Sequence, residues 1–191
     1  MTNPVCEPLT WKVHAHVDKW DQDQTEWVTA RLGMVPQAAQ FAVCGVKPYD
    51  VADQAGNLLT TAGLTRLMSL LAGAGGLAMT NTQTRLGVGN GASAAAITDT
   101  DLSAVAGAAN RWFQIMDATF PSVATNVLTA KATFASADGN FIWGEWGMDI
   151  QAATAASSAV VGATLFNHKS SAALGTKVSG SWALTVTCTI S

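Results

Sequence analysis

The sequence predicts a mainly β fold: an antiparallel β-sandwich of jelly-roll type, with one main α-helix near residues 61–72 and an N-terminal β-hairpin or arm. Three observations lead there. Several stretches alternate apolar and polar residues with period two, which fits strands buried on one face. Turn-rich loops separate them at short intervals, as in sandwiches and barrels. Only one stretch carries a convincing helical period.

Taken in order, "LTWKVHAHV" sets Leu9, Trp11, Val13, Ala15 and Val17 against Thr10, Lys12, His14 and His16. The polar "DQDQTE" follows, and Trp27–Leu32 resumes a strand-like pattern, so a hairpin over residues 9–32 is expected. "QFAVCGV" at 40–46 reads as a third short strand. A boundary is expected in "KPYDVADQAGN", giving an N-terminal β segment or arm over 1–50 and a main sandwich domain over 51–191.

The helix comes next. Thr60 or Thr61 can cap it, Leu64, Leu67, Met68 and Leu71 fall at i, i+3, i+4 and i+7, and Gly73, Gly75 and Gly76 end it. A smaller helical turn is expected from Asp99 to Leu102. Further strands are "RWFQIMDATF", "NVLTAKATFAS" with Leu128, Ala130, Ala132 and Phe134 on one face, "NFIWGEWGMDI" and "ATLFNHKS". The cleanest is "SWALTVTCTI", where Trp182, Leu184, Val186, Cys188 and Ile190 alternate with Ser181, Ala183 and three threonines.

Composition narrows function. The 191 residues suffice for a sizeable core, hiding roughly 70% of the unfolded surface. Charged residues make up 12%, against about 25% in soluble domains, so much of the surface is expected to meet other chains. A net charge of −3 without a basic cluster argues against nucleic-acid binding through phosphates. Cys6, Cys44 and Cys188 form no paired spacing, so Cys44 and Cys188 are expected as buried free thiols. "MTNPVCEPLTWK" lacks a signal-peptide core, and no apolar run is long enough to span a bilayer, so a soluble protein made in the cytoplasm is expected.

The candidate chemistry resolves mostly into structure. In "RLGVGNGASAAAIT", Gly87, Gly89 and Gly91 have neither the Lys-Ser/Thr of a P-loop nor the spacing of a dinucleotide fingerprint. The expectation is a strand leaving through an Asn90-Gly91 tight turn. His14, His16 and Asp18 share a strand parity suited to metal, but Lys12 lies among them, so a solvated face is expected. Asp21, Asp23 and Glu26 lack the glycine and final glutamate of a calcium loop. His168 has Ser170 and Ser171 nearby but no nucleophile elbow. Glu145 and Asp149 share a parity but stand roughly 13 Å apart at strand rise, too far for a glycosidase pair. Catalytic, cofactor and metal residues are therefore all expected to be none. Of seven tryptophans, Trp11, Trp112, Trp143 and Trp182 are expected in the core, while exposed ones such as Trp143 or Trp146 offer an alternative, glycan binding.

One ordered series of segments adds to this. "TRLGVGNGASAAAITDTDL", "RWFQIMDATFPS", "LTAKATFASADGNFIWGEWGMDI", "LFNHKSSAALGTKVSG" and "WALTVTCTIS", led by the helix in "AGNLLTTAGLTRLMSLL", resemble small structural proteins of tailed double-stranded DNA bacteriophages. The resemblance covers residues 54–191. It implies a virion location, no catalytic residues and no cofactor, and either a capsid decoration protein or a minor tail or fibre-base protein. The partner implied is the major capsid protein, or tail proteins in the alternative. Lattice geometry suggests a homotrimer, without nucleic acid or membrane as partner.

Overall fold

A computed structural model describes residues 10–152, 159–161 and 164–191, so Cys6 and Leu9 lie outside the described residues. Two five-stranded antiparallel sheets face each other. In the first, β2 (Asp50–Ala55), β1 (Trp11–Trp20), β10 (Ser181–Ile190), β7 (Val127–Phe134) and β6 (Ser122–Ala124) lie side by side. In the second the order is β3 (Leu58–Leu59), β9 (Thr164–Lys169), β8 (Glu145–Ile150), β4 (Thr84–Gly89) and β5 (Arg111–Ile115).

The alternating residues make the core between the sheets. Val13, Ala15 and Val17 of β1, Ala130, Ala132 and Phe134 of β7, and Trp182, Leu184, Val186 and Cys188 of β10 point inward. They meet Leu86, Val88, Trp146, Met148 and Ile150 from the second sheet. Trp143 is wholly buried where the sheets meet, its ring 4.8 Å from Phe134 and 5.0 Å from Trp182. Edge-on aromatic pairs of this kind add roughly 0.5–1.5 kcal/mol each beyond the area they bury. Cys188 is a buried free thiol, pushed up to about 12 by burial, while Cys44 is free and only partly buried.

The first sheet's N-terminal strand is not half of a hairpin. β1 is held on both sides, Trp11–Trp20 pairing with Ile190–Ser181 and His14–Lys19 with Ala55–Asp50. Thr10 and Ser191 close this ladder with two backbone hydrogen bonds, of 2.6 and 3.0 Å. The stretch expected as the hairpin's second strand is α1 (Gln22–Leu32), and the expected strand at 40–46 is occupied by α2 (Ala38–Val43). Asp21 caps α1: its carboxylate accepts the Gln24 N–H at 2.8 Å and the Gln24 side chain accepts the Asp21 N–H at 3.1 Å. This reciprocal pair satisfies two backbone donors at the start of the helix. Gly33, at φ 68°, ends it. Val28, Ala38 and Phe41 then pack with Trp20 and Ala183 on the outer face of the first sheet, Phe41 stacking on Trp20 at 4.2 Å.

The expected main helix is present as α3 (Thr61–Leu71), capped by Thr60, whose hydroxyl accepts the Gly63 N–H. Only part of its apolar stripe is buried. The helix seats on β9 through Gly63, where a Cβ would stand 2.0 Å from the Phe166 carbonyl oxygen, and only Leu67 of the apolar stripe packs toward the core. Leu64, Met68 and Leu71 face outward. The expected helical turn at 99–102 is absent; residues 90–110 run as an irregular cover over the outer face of the second sheet.

Candidate functional site

That cover is where the polar chemistry gathers. Along β8, Glu145 and Asp149 point to the outer face as their shared parity requires, and both are fully buried. Asp149 pairs with Arg85 of β4, whose Nε donates at 3.1 Å and whose guanidinium also donates to the Val160 carbonyl at 2.8 Å. Arg111 on β5 holds Asp101 at 2.7 Å. The two carboxylates of β8 thus serve different partners rather than one substrate.

Glu145 is the centre of the densest network. Its Oε1 accepts the Ala104 N–H at 2.7 Å. Its Oε2 accepts the Ser103 N–H at 2.9 Å, the Ser103 hydroxyl at 2.8 Å and His168 Nε2 at 2.9 Å. On the other side of the ring, His168 Nδ1 meets Asp99 Oδ2 at 2.6 Å. Burial alone would raise the Glu145 carboxyl, but the bonds from His168, Ser103 and Ala104 outweigh it and hold the group down at about 2. Burial likewise opposes charge on His168, and the two flanking carboxylates reverse the effect, raising its pKa. A histidine whose two nitrogens each face a carboxylate is held as an imidazolium that donates to both.

The order of groups decides what this arrangement can do. A nucleophilic serine needs its hydroxyl directed at an imidazole able to take the proton. Here the Ser103 hydroxyl donates to Glu145, and the imidazole is saturated by acids. The network fastens residues 99–104 onto β8 and β9.

The glycine run belongs to the same construction. None of Gly87, Gly89 and Gly91 has a positive φ, and residues 90–92 leave the strand without a tight turn, so the turn expected at Asn90-Gly91 is not there. The glycines are small because other groups occupy the space. A Cβ on Gly89 would lie 2.4 Å from Glu145 Oε1, and on Gly91 2.0 Å from the Ser103 hydroxyl and 2.5 Å from the Ala104 nitrogen. On Gly87 it would strike the Phe113 ring at 2.3 Å.

The remaining candidates separate. His14 and His16 meet Asp53 of β2 at 3.2 and 2.9 Å on a partly exposed face, with Asp18 3.2 Å from His16. Among the described residues no group of three or more His, Cys, Asp or Glu is arranged to hold a metal ion. Asp21 is a helix cap, and Asp23 lies in the first turn of α1. Ser170 accepts the Ala95 N–H at 2.9 Å. Trp143 and Trp146 are both wholly buried, so neither presents a face to a sugar. Trp11 and Trp112 pack partly buried against the core. Sequence reasoning did not find the Asp99–His168–Glu145–Ser103 network, because its members lie on three separate segments with no motif spacing.

Two further features stand at the surface. A cleft of about 550 Å³ lies between α3 and the cover, lined by Thr61, Ala62, Thr65, Arg66, Ile97 and Asp99 among others. The opposite side of α3 is apolar, with Leu64, Met68 and Leu71 48%, 56% and 74% exposed. Among the described residues no helix is long and apolar enough to cross a membrane. No protein-family model matches the chain, and no curated protein or solved structure matches it.

Proposed function

We propose that the protein is a structural component of a tailed double-stranded DNA bacteriophage virion, a decoration protein that binds and stabilises the assembled head. The observation that supports this reading most is the outward apolar stripe of α3. Leu64, Met68 and Leu71 fall at i, i+4 and i+7 on one side of a helix already anchored to the sandwich by Thr60 and Gly63. Apolar area hidden against a partner contributes roughly 25 cal/mol per Å² before association costs. Contacts that exist only in the assembled shell stabilise that shell by mass action.

The buried charges support the same reading. Glu145 and His168 are engaged in holding the cover to the second sheet, and Arg85 and Asp149 in pairing with each other across β4 and β8. The partner in this reading is the major capsid protein, with self-association as a homotrimer; nucleic acid and membrane have no part in it. The glycan-binding alternative loses Trp143 and Trp146, leaving Trp27 as the exposed tryptophan among the described residues.

The test is the copy number in purified particles, measured by quantitative mass spectrometry against the major capsid protein. A ratio of one to one, or one to a small integer, is expected. A ratio near one to a hundred overturns the decoration role and moves the protein to the tail.

A further inference from the structure

Lys177 is 0% exposed, although it lies in the short segment before β10 rather than in a sheet. Its ammonium nitrogen has three oxygen neighbours in one turn: Asn140 Oδ1 at 2.7 Å, Ala135 O at 2.9 Å and Ser136 O at 3.5 Å. Backbone pairing fixes this meeting. Trp143 N–H donates to Gly175 O at 2.8 Å, Ile142 bridges Thr176, and Lys177 N–H donates to Phe141 O at 3.1 Å. Residues 140–143 and 175–177 therefore run antiparallel and in register, with Lys177 and Asn140 at the end of the short ladder. The Asn140 amide is itself oriented, because its Nδ2 donates to Ser136 O at 2.8 Å.

A buried lysine beside a carboxamide, with a carboxyl in the same turn, has the components for amide exchange. Asp138 is two residues from Asn140, and its charge acts on Lys177. We propose that Lys177 and Asn140 form an intramolecular isopeptide bond. In this step the unprotonated Nζ attacks Asn140 Cγ, the Nζ–Cγ bond forms and the Cγ–Nδ2 bond breaks. The proton shed by Nζ passes to the departing nitrogen, with Asp138 as the relay, and the balance is one amine plus one primary amide giving one secondary amide and ammonia. No oxidant, metal or nucleotide is needed. The remaining Nζ–H still has Ala135 O as an acceptor, and the exposed position of Asn140 gives ammonia a way out.

The electrostatics favour the reactive form. Burial lowers Lys177 from 10.5 to about 8, against the opposing pull of Asp138, so the free amine is available under mildly alkaline conditions. Burial also raises the Asp138 carboxyl, which suits a group that must carry a proton.

Intact mass spectrometry of the denatured full-length chain tests this, after incubation at pH 7 and pH 9. The expected mass is lower than the sequence mass by one ammonia, with faster loss at pH 9. Fragmentation of a digest should place the join between Lys177 and Asn140. Lys177→Arg and Asn140→Ala should both keep the full sequence mass, and because the readout is covalent it does not depend on either variant folding well. Asp138→Ala should slow the loss at least tenfold. An unchanged wild-type mass after prolonged incubation at pH 9 overturns the proposal. So does an ammonia loss that maps to an asparagine succinimide, such as one at Asn90-Gly91, instead of to a branched peptide.

Discussion

Replacing Gly89 or Gly91 with alanine is expected to destabilise the protein by about 1–3 kcal/mol, the usual cost of forcing extra atoms into a packed site. The added methyl would meet Glu145 Oε1 or the Ala104 backbone nitrogen, neither of which can move without breaking the network. Urea denaturation measures it, and an unchanged midpoint would mean the cover is not held as described. The same network sets a pH dependence. Glu145 falls from 4.5 to about 2 on folding, so its contribution is full above pH 4.5 and is lost as pH falls toward 2. His168, raised above 6.5, contributes fully below that value and loses its part as pH rises through its folded pKa. Glu145 and Asp99 face the ring. Thermal stability should therefore fall on both sides of a plateau between about pH 4.5 and 6.5, and His168→Gln should flatten the alkaline side. At this scale the sequence was hard to read. The absence of nucleotide-binding spacing around Gly87, Gly89 and Gly91 was visible, but their steric reason lies in residues 103, 104, 113 and 145, which only folding brings near.

Among the elements, legibility followed the environment of each face. β10 was plain because β1 and β7 flank it and its outward threonines stay half exposed. β8 is buried on both faces, Glu145 and Gly147 beneath the cover and Asp149 against Arg85, so its outward carboxylates do not read as a solvated face. α1 and α2 were misread as strands because each buries only two residues, and Trp27 of α1 points outward. The signal that marks α1 was present in Asp21 and Gln24, a capping box whose glutamine takes the place of the commoner glutamate. Asp21→Ala is expected to cost about 1 kcal/mol. Trp143→Ala should cost roughly 3–5 kcal/mol, because it empties the junction between Phe134 and Trp182. Both are read from denaturant midpoints.

For the whole molecule, the low charge fraction and the outward stripe of α3 together leave a weakly solvated surface, which is what the proposed assembly role draws on. Leu64→Ser, Met68→Ser and Leu71→Ser are each expected to leave stability within about 0.5 kcal/mol of the parent, as exposed substitutions do. In the decoration reading the triple variant should fail to bind purified heads that lack the protein, while its melting temperature stays close to the parent's. The ladder between β1 and β10 has a mechanical consequence. Thr10 and Ser191 sit side by side at its open end, with their mutual hydrogen bonds the first in line. A pull between these two residues loads the pairs one after another, like a zipper, and each breaks at low force. A pull directed along the strands loads many pairs at once and meets far greater resistance. If the proposed decoration role holds, a shell under internal pressure would gain most from this sandwich when it is gripped through its faces and not through those two residues.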